Sequence, residues 1–207
     1  MKNNIENQLA IQTGLSINKP MTATRQQILS TASQLFSERG YELVGINEII
    51  EKSGVAKATF YSNFKSKENL CGDWMRSTAA ESEKAGGELL RQKMPAIEKV
   101  ARKFDLLKEY VQKSDFRGCP FSTTASMIDS TSEVCQIIRD YKANSRCFWQ
   151  SLALEVRRDP GEARALGDTL FLLFSGAVTE AQNARHAWPV DSARKAALAL
   201  CNTTPKD

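Results

Sequence analysis

The sequence predicts an all-α protein on three observations. Apolar residues recur at three- and four-residue spacings through most of the chain, no stretch alternates apolar and polar as a half-buried strand would, and glycines and prolines fall between the periodic segments. With 207 residues, 42% hydrophobic and 25% charged, the chain can bury a sizeable core and lacks the make-up of a disordered protein. Its uninterrupted apolar runs, such as Leu170 to Phe174, fall far short of the roughly 20 residues of a membrane span.

Residues 1–21 show no period, are rich in Asn and Gln and reach Pro20, which reads as a flexible arm; Lys2 and Lys19 are its only cations. The arm has no apolar segment of signal-peptide kind, so the expected compartment is the cytoplasm. From Thr22 or Thr24, the stripe Ile28, Leu29, Ala32, Leu35 and Phe36 predicts a first helix that stops at Arg39-Gly40. A short second helix carries Ile46, Ile49 and Ile50, starts after Gly45, and stops at Ser53-Gly54. Val55 to Phe64 then turns Val55, Phe60 and Phe64 inward and leaves Lys57, Thr59, Tyr61, Ser62 and Asn63 outside. Two short helices about a glycine turn suggest a helix-turn-helix.

Residues 52–67 contain Lys52, Lys57, Lys65 and Lys67 and no acid. Lysines that release counterions from phosphate supply affinity for any duplex, whereas short polar side chains on a helix in the major groove reach base edges. Lys57, Ser62 and Asn63 are the expected readers. Thr59 and Tyr61 carry hydroxyls that donate to phosphate, and the next helix begins at Ser66-Lys67-Glu68, where free amides favour an anion. Thr24, Asn47, Lys65 and Lys67 complete the expected DNA-contacting set. A lysine-rich helix is most often a solvated face. Here Gly54, the inward aromatics, the acid-free surface and the hydroxyls beside the lysines together favour double-stranded DNA.

Gly40-Tyr41, Ile46 to Ile49, Ser53-Gly54-Val55, Lys57, Thr59-Phe60-Tyr61, Phe64, Ser66-Lys67-Glu68 and Leu70 together resemble the DNA-binding domain of the TetR family of transcriptional regulators, over Thr22 to Cys71. The resemblance implies an all-helical homodimer, with a DNA-binding domain at residues 22–68 and a helical effector-binding and dimerisation domain at 69–207. It implies binding, not catalysis, and a repressor released from a palindromic operator by a small effector. The sequence departs from the family at Val44-Gly45, where two hydroxyl residues are usual, and at Ala56, where serine commonly caps the recognition helix. Ala is a poor N-cap, by about 1 kcal/mol against Ser. These changes should remove one or two phosphate contacts, and Ser62-Asn63 replaces the bulkier pairs often found there.

Beyond Cys71 a long helix is expected to about Gln92, weakened at Gly86-Gly87, and Pro95 opens the next, striped by Ile97, Val100, Ala101, Phe104, Leu107 and Val111. A loop from Asp115 to Phe121 leads into a short Ser/Thr-rich helix ending near Ile128. Another long helix is expected over Ser132 to Arg158, stopped by Asp159-Pro160-Gly161, then one over Glu162 to Ala187 and a last over Asp191 to Cys201. The last two correspond in position to the family's intersubunit four-helix bundle; periodicity alone fits an intrachain core equally well.

An effector pocket is expected between the C-terminal helices, with Phe104, Tyr110, Cys119, Phe121, Tyr141, Phe148 and Trp149 as its candidates. No cluster of charges favours a strongly ionic ligand, so the inference is a largely apolar effector. Arg117-Gly118-Cys119-Pro120 sets a thiol beside a cation, and its Gly-Cys pair resembles family members that respond to electrophiles; the alternatives are a thiol sensor or a buried structural cysteine. The five cysteines are widely spaced and the single His186 lies near none of them but Cys201, so no disulfide framework, metal or cofactor is expected. An enzyme with Cys119 as nucleophile and His186 as base lacks an orienting partner for the base. A ligand-independent DNA-binding protein stays open.

Overall fold

The computed structural model describes residues 22–203; the arm expected over residues 1–21 lies outside them. Every regular element among the described residues is an α-helix: α1 (Ala23–Arg39), α2 (Ile46–Ser53), α3 (Lys57–Asn63), α4 (Lys67–Arg91), α5 (Ala96–Lys113), α6 (Pro120–Ala125), α7 (Glu133–Leu154), α8 (Pro160–Ala184) and α9 (Trp188–Asn202).

Four of these nine starts follow side-chain chemistry. The hydroxyl of Thr22 accepts from Arg25 N at 3.2 Å, that of Ser66 from Asn69 N at 3.0 Å and that of Ser132 from Cys135 N at 3.2 Å, while Asp159 accepts from Glu162 N at 2.9 Å. Each such cap contributes about 1 kcal/mol. Gly45 and Ala56, ahead of α2 and α3, make no side-chain cap bond. Gly54 closes α2 at φ 65°, a left-handed conformation that only glycine adopts without strain.

Some boundaries differ from those the sequence predicts. Helix α4 passes unbroken through Gly86-Gly87, because Gly86 is buried where a β-carbon would stand 3.3 Å from the Phe148 ring; its smallness serves packing. Helix α7 stops at Leu154, short of Arg158. Residues beyond it leave the helix so that the Arg157 guanidinium donates to the carbonyls of Leu200, Cys201 and Thr203 at the end of α9. Helix α8 ends at Ala184 on a left-handed Arg185, and α9 starts already at Trp188, whose N–H donates to His186 Nδ1 at 3.0 Å.

Two apolar cores result. The first gathers Ile28, Phe36, Ile49, Phe60, Phe64, Leu70 and Met75 from α1 to α4 and extends to Phe121, Val134 and Ile138. The second is built on Val100, Phe104, Trp149, Leu152, Leu170, Ala181 and Ala197 from α5, α7, α8 and α9. Helix α4 packs its first turns on the first core and Leu90 on the second. Lys99 ties three helix ends together, its buried ammonium donating to the Leu90 carbonyl and to Glu155, each at 2.8 Å.

Candidate DNA-reading surface and ligand cavity

Helix α3 is held from behind by apolar packing and by one cation. Phe60 and Phe64 are fully buried, and the Arg25 guanidinium of α1 lies 4.0 Å from the Phe64 ring centre while donating to the Asn63 carbonyl. The same guanidinium bonds Asp73 of α4 at 2.5 Å. Arg25 therefore fastens the last turn of α3 to α4, a role that no local pattern around it announces. Its chain neighbour Thr24 is half-buried in the first turn of α1.

On the outer side, Lys57, Tyr61, Ser62 and Lys65 are exposed, Thr59 and Asn63 are half-buried, and Asn47 is exposed in the first turn of α2. Two hydrogen bonds, from Ser62 Oγ and Asn63 Nδ2, both at 2.8 Å, draw these two side chains onto the Thr59 backbone carbonyl. The four lysines of the acid-free segment are not equivalent. Lys52 pairs with Glu48 at 3.1 Å, a carboxylate that also holds Arg39 at 2.5 Å and whose pKa these hydrogen bonds lower, Arg39 first. Lys67 lies 4.3 Å over the Tyr41 ring and donates to the Glu42 carbonyl at 3.4 Å. Lys57 and Lys65 have no side-chain partner among the described residues, so their charge faces solvent without compensation.

Behind the reader lies a cavity of 1110 Å³. Its wall takes in Phe36 and Arg39 to Leu43, from the last turn of α1 and the turn after it, residues of α4, α5, α6 and α7, Phe174, Val178 and Gln182 of α8, and Arg185 just beyond it. Of the expected pocket residues, Tyr110, Cys119, Phe121, Tyr141 and Phe148 line it. Phe104 and Trp149 do not. Both are fully buried one layer back, where Trp149 packs its ring 5.7 Å from Phe104 and 5.3 Å from Phe174, and its indole N–H has no acceptor among the described residues. Their helical spacing marked core, as aromatic stripes usually do.

Phe121 stacks on Tyr141 with ring centres 3.7 Å apart, and the Tyr141 hydroxyl meets Ser82 Oγ at 3.2 Å. Burial raises the pKa of both cavity phenols, Tyr110 to about 12, so both are protonated donors at neutral pH. Tyr110 donates to the Gly118 carbonyl at 3.0 Å. That bond braces a contorted loop: Asp115, Phe116 and Gly118 have φ of 51°, 54° and 80°. A β-carbon on Gly118 would also run into the amide of Gln182.

Cys119 closes this loop as the N-cap of α6, half-buried, and packs against both apolar cores. The cation at its sulfur is Lys142 of α7, whose Nζ stands 3.6 Å from Sγ, rather than the exposed Arg117 that the sequence suggested. His186 lies exposed in the turn before α9, with Nδ1 engaged by Trp188, so it does not pair with Cys119. Among the described residues no cluster of His, Cys, Asp or Glu has the form of a metal site, and no helix is long and apolar enough to cross a membrane.

Residues 28–72, which span α1 to the first turns of α4, match the family profile of bacterial regulatory proteins, tetR family. Over most of the chain, two curated relatives align. The HTH-type transcriptional repressor DhaR of Mycobacterium sp. (strain GP1) is 24% identical over 179 residues, covering 82% of this chain and 88% of that protein. The HTH-type transcriptional repressor NemR of Escherichia coli (strain K12) is 26% identical over 178 residues, covering 82% and 89%. The crystal structure of reduced E. coli NemR superposes with a TM-score of 0.74 at 20% identity, covering 86% of this chain and 98% of that one, which establishes a shared fold.

Proposed function

From the match of residues 28–72 to the tetR family of bacterial regulatory proteins we propose that this chain is a homodimeric transcriptional repressor that leaves a palindromic operator when a small, largely apolar effector fills the cavity. Residues 22–68 form the reader and residues 69–207 the effector and dimerisation part, working in the cytoplasm where the DNA is. One observation carries the reading: the cavity wall takes residues both from the reader itself, Phe36 and Arg39 to Leu43, and from helices α4 to α8. A ligand there touches both parts at once. It shifts the protein toward whichever arrangement it binds better, which is all an effector needs in order to change DNA affinity.

The dimer reading is supported by the outer face of α8. Ala165, Thr169, Leu172, Gly176, Thr179 and Asn183 are exposed at helical spacing without a charge, and a β-carbon on Gly176 would meet nothing within 4 Å. Trp188 is exposed beyond its end. Two copies joined there set two recognition helices on successive major-groove faces, about 34 to 36 Å apart. Selecting duplexes from a random pool, then measuring the mass of the bound complex, tests the reading. Enrichment of an inverted repeat bound by an even number of chains supports it, and no enrichment with monomeric protein overturns it.

A second reading makes Cys119 a sensor of electrophiles. It is favoured by the contact of Cys119 with both cores, so that a bulky adduct disturbs both, and by the Lys142 ammonium 3.6 Å from its sulfur. A quinone adds without a leaving group: the sulfur bonds a ring carbon, and the thiol and ring hydrogens end on the two oxygens as a hydroquinone thioether. Wild type should release DNA after quinone treatment and Cys119→Ser should not; equal release by both removes the reading.

A further inference from the structure

We propose that the cavity is built for an acid: a ligand with an apolar body whose negative group is seated on the ammonium of Lys103. The inference rests on the cavity being an effector site and adds the charge of the effector to it.

Lys103 projects from α5 into the cavity, with Nζ 5.1 Å from the ring centre of Phe148 and 5.7 Å from that of Phe174, both also in the cavity wall. Its position contrasts with its neighbours on the same helix. Lys99 pairs with Glu155 at 2.8 Å, Arg102 with Glu109 at 3.6 Å and Lys108 with Asp191 at 2.8 Å. Lys103 has no carboxylate, carbonyl or hydroxyl partner among the described residues. Burial lowers its pKa from 10.5, and no charged neighbour contributes.

The other charged residues of the wall sit at its rim. Glu42, Glu81, Glu83, Arg39, Arg117 and Arg185 are exposed, and Arg39 and Arg185 are already paired, with Glu48 and Asp115. A cation faced only by aromatic rings has given up most of its hydration and gained only a cation–π contact in return. An anion entering the cavity restores what is missing, through a charge-assisted hydrogen bond in a setting largely shielded from water. Phe148 and Phe174, flanking the ammonium, are placed to cover the apolar part of the same molecule. Asn144 and Ser151, one turn to either side of Phe148 on α7, also reach the wall and supply further polar contacts.

Two fluorescent probes that share a ring system and differ by one sulfonate test this: 1-anilinonaphthalene-8-sulfonate and neutral N-phenyl-1-naphthylamine, titrated into the full-length protein. Lys103→Met should weaken the sulfonate at least tenfold and leave the neutral probe within about twofold, and Lys103→Arg should keep the sulfonate. An unchanged sulfonate affinity in Lys103→Met, or equal weakening of both probes, overturns the anion seat. Failure of both probes to bind wild type overturns the effector-site reading of the cavity and this inference with it. Retained binding of the neutral probe confirms that the variant's cavity is intact.

Discussion

Arg25 and Asp73 form an ion pair at 2.5 Å that joins the first turn of α1 to the second turn of α4. Both side chains are largely shielded, and the same guanidinium reaches the Asn63 carbonyl and the Phe64 ring. The pair thus fixes the seat of the recognition helix relative to the helix that leads away from it. Arg25→Ala leaves the Asn63 carbonyl without its side-chain donor and the Asp73 carboxylate with Arg76 alone, at 3.0 Å, at a cost of about 1–3 kcal/mol. Urea unfolding should register that destabilisation, and operator affinity should fall by more than removing one phosphate partner would explain.

The unpaired lysines should set the salt dependence of DNA binding. Lys57→Ala or Lys65→Ala should reduce the slope of log affinity against log salt by about 0.9 for each phosphate left without its lysine, on specific and random duplexes alike. Lys67→Ala should change the slope less, since that ammonium is held over Tyr41. Asn63→Ala should instead alter the sequence enriched from a random pool, and an equal drop on all duplexes would contradict its reading role.

The uncharged face of α8 predicts the fate of a single substitution. Leu172 is 67% exposed in the isolated chain, so Leu172→Glu leaves the intrachain core essentially intact. It places a carboxylate in the proposed interface, where it has no partner. Analytical ultracentrifugation should find the variant monomeric at concentrations where wild type is dimeric, with an unchanged helical circular dichroism spectrum.

Lys103 should leave a pH signature on stability. Its folded pKa is lowered, so between that value and 10.5 the unfolded chain holds the extra proton and stability rises with pH. Below the folded pKa both states are charged and the native state carries the full burial penalty. Lys103→Met should therefore melt higher than wild type at pH 7, and the difference should shrink toward pH 10.5. A constant difference across that range would contradict the assignment.

The helices were legible because their information is local. Ile28, Leu29, Ala32 and Phe36 state a period, and Thr22, Ser66 and Asp159 state starts. What local pattern could not state were the ends determined by distant partners. Arg157 leaves α7 for carbonyls some 45 residues on, a distance read from its bonds to Leu200 and Cys201. Gly86 looks like a helix breaker until Phe148 is seen against it. The reader's outer residues were legible from polarity against an inward aromatic spacing. The cavity was only partly so: an aromatic stripe does not distinguish Phe148 in the wall from Trp149 behind it. Lys103 looks like any other lysine of α5, since what sets it apart is the absence of an acid across space.

The uninterrupted course of α4 has a mechanical consequence. At 25 residues and about 1.5 Å per residue it is a rod of about 37 Å, rooted in the reader at Leu70 and anchored at its other end through the Leu90 carbonyl to Lys99. A tilt of only about 10° about one end sweeps the other through about 6 Å, close to two base-pair steps. Without a hinge at Gly86-Gly87 to absorb the motion, a modest displacement where the rod borders the cavity is carried along its whole length to its root at Leu70.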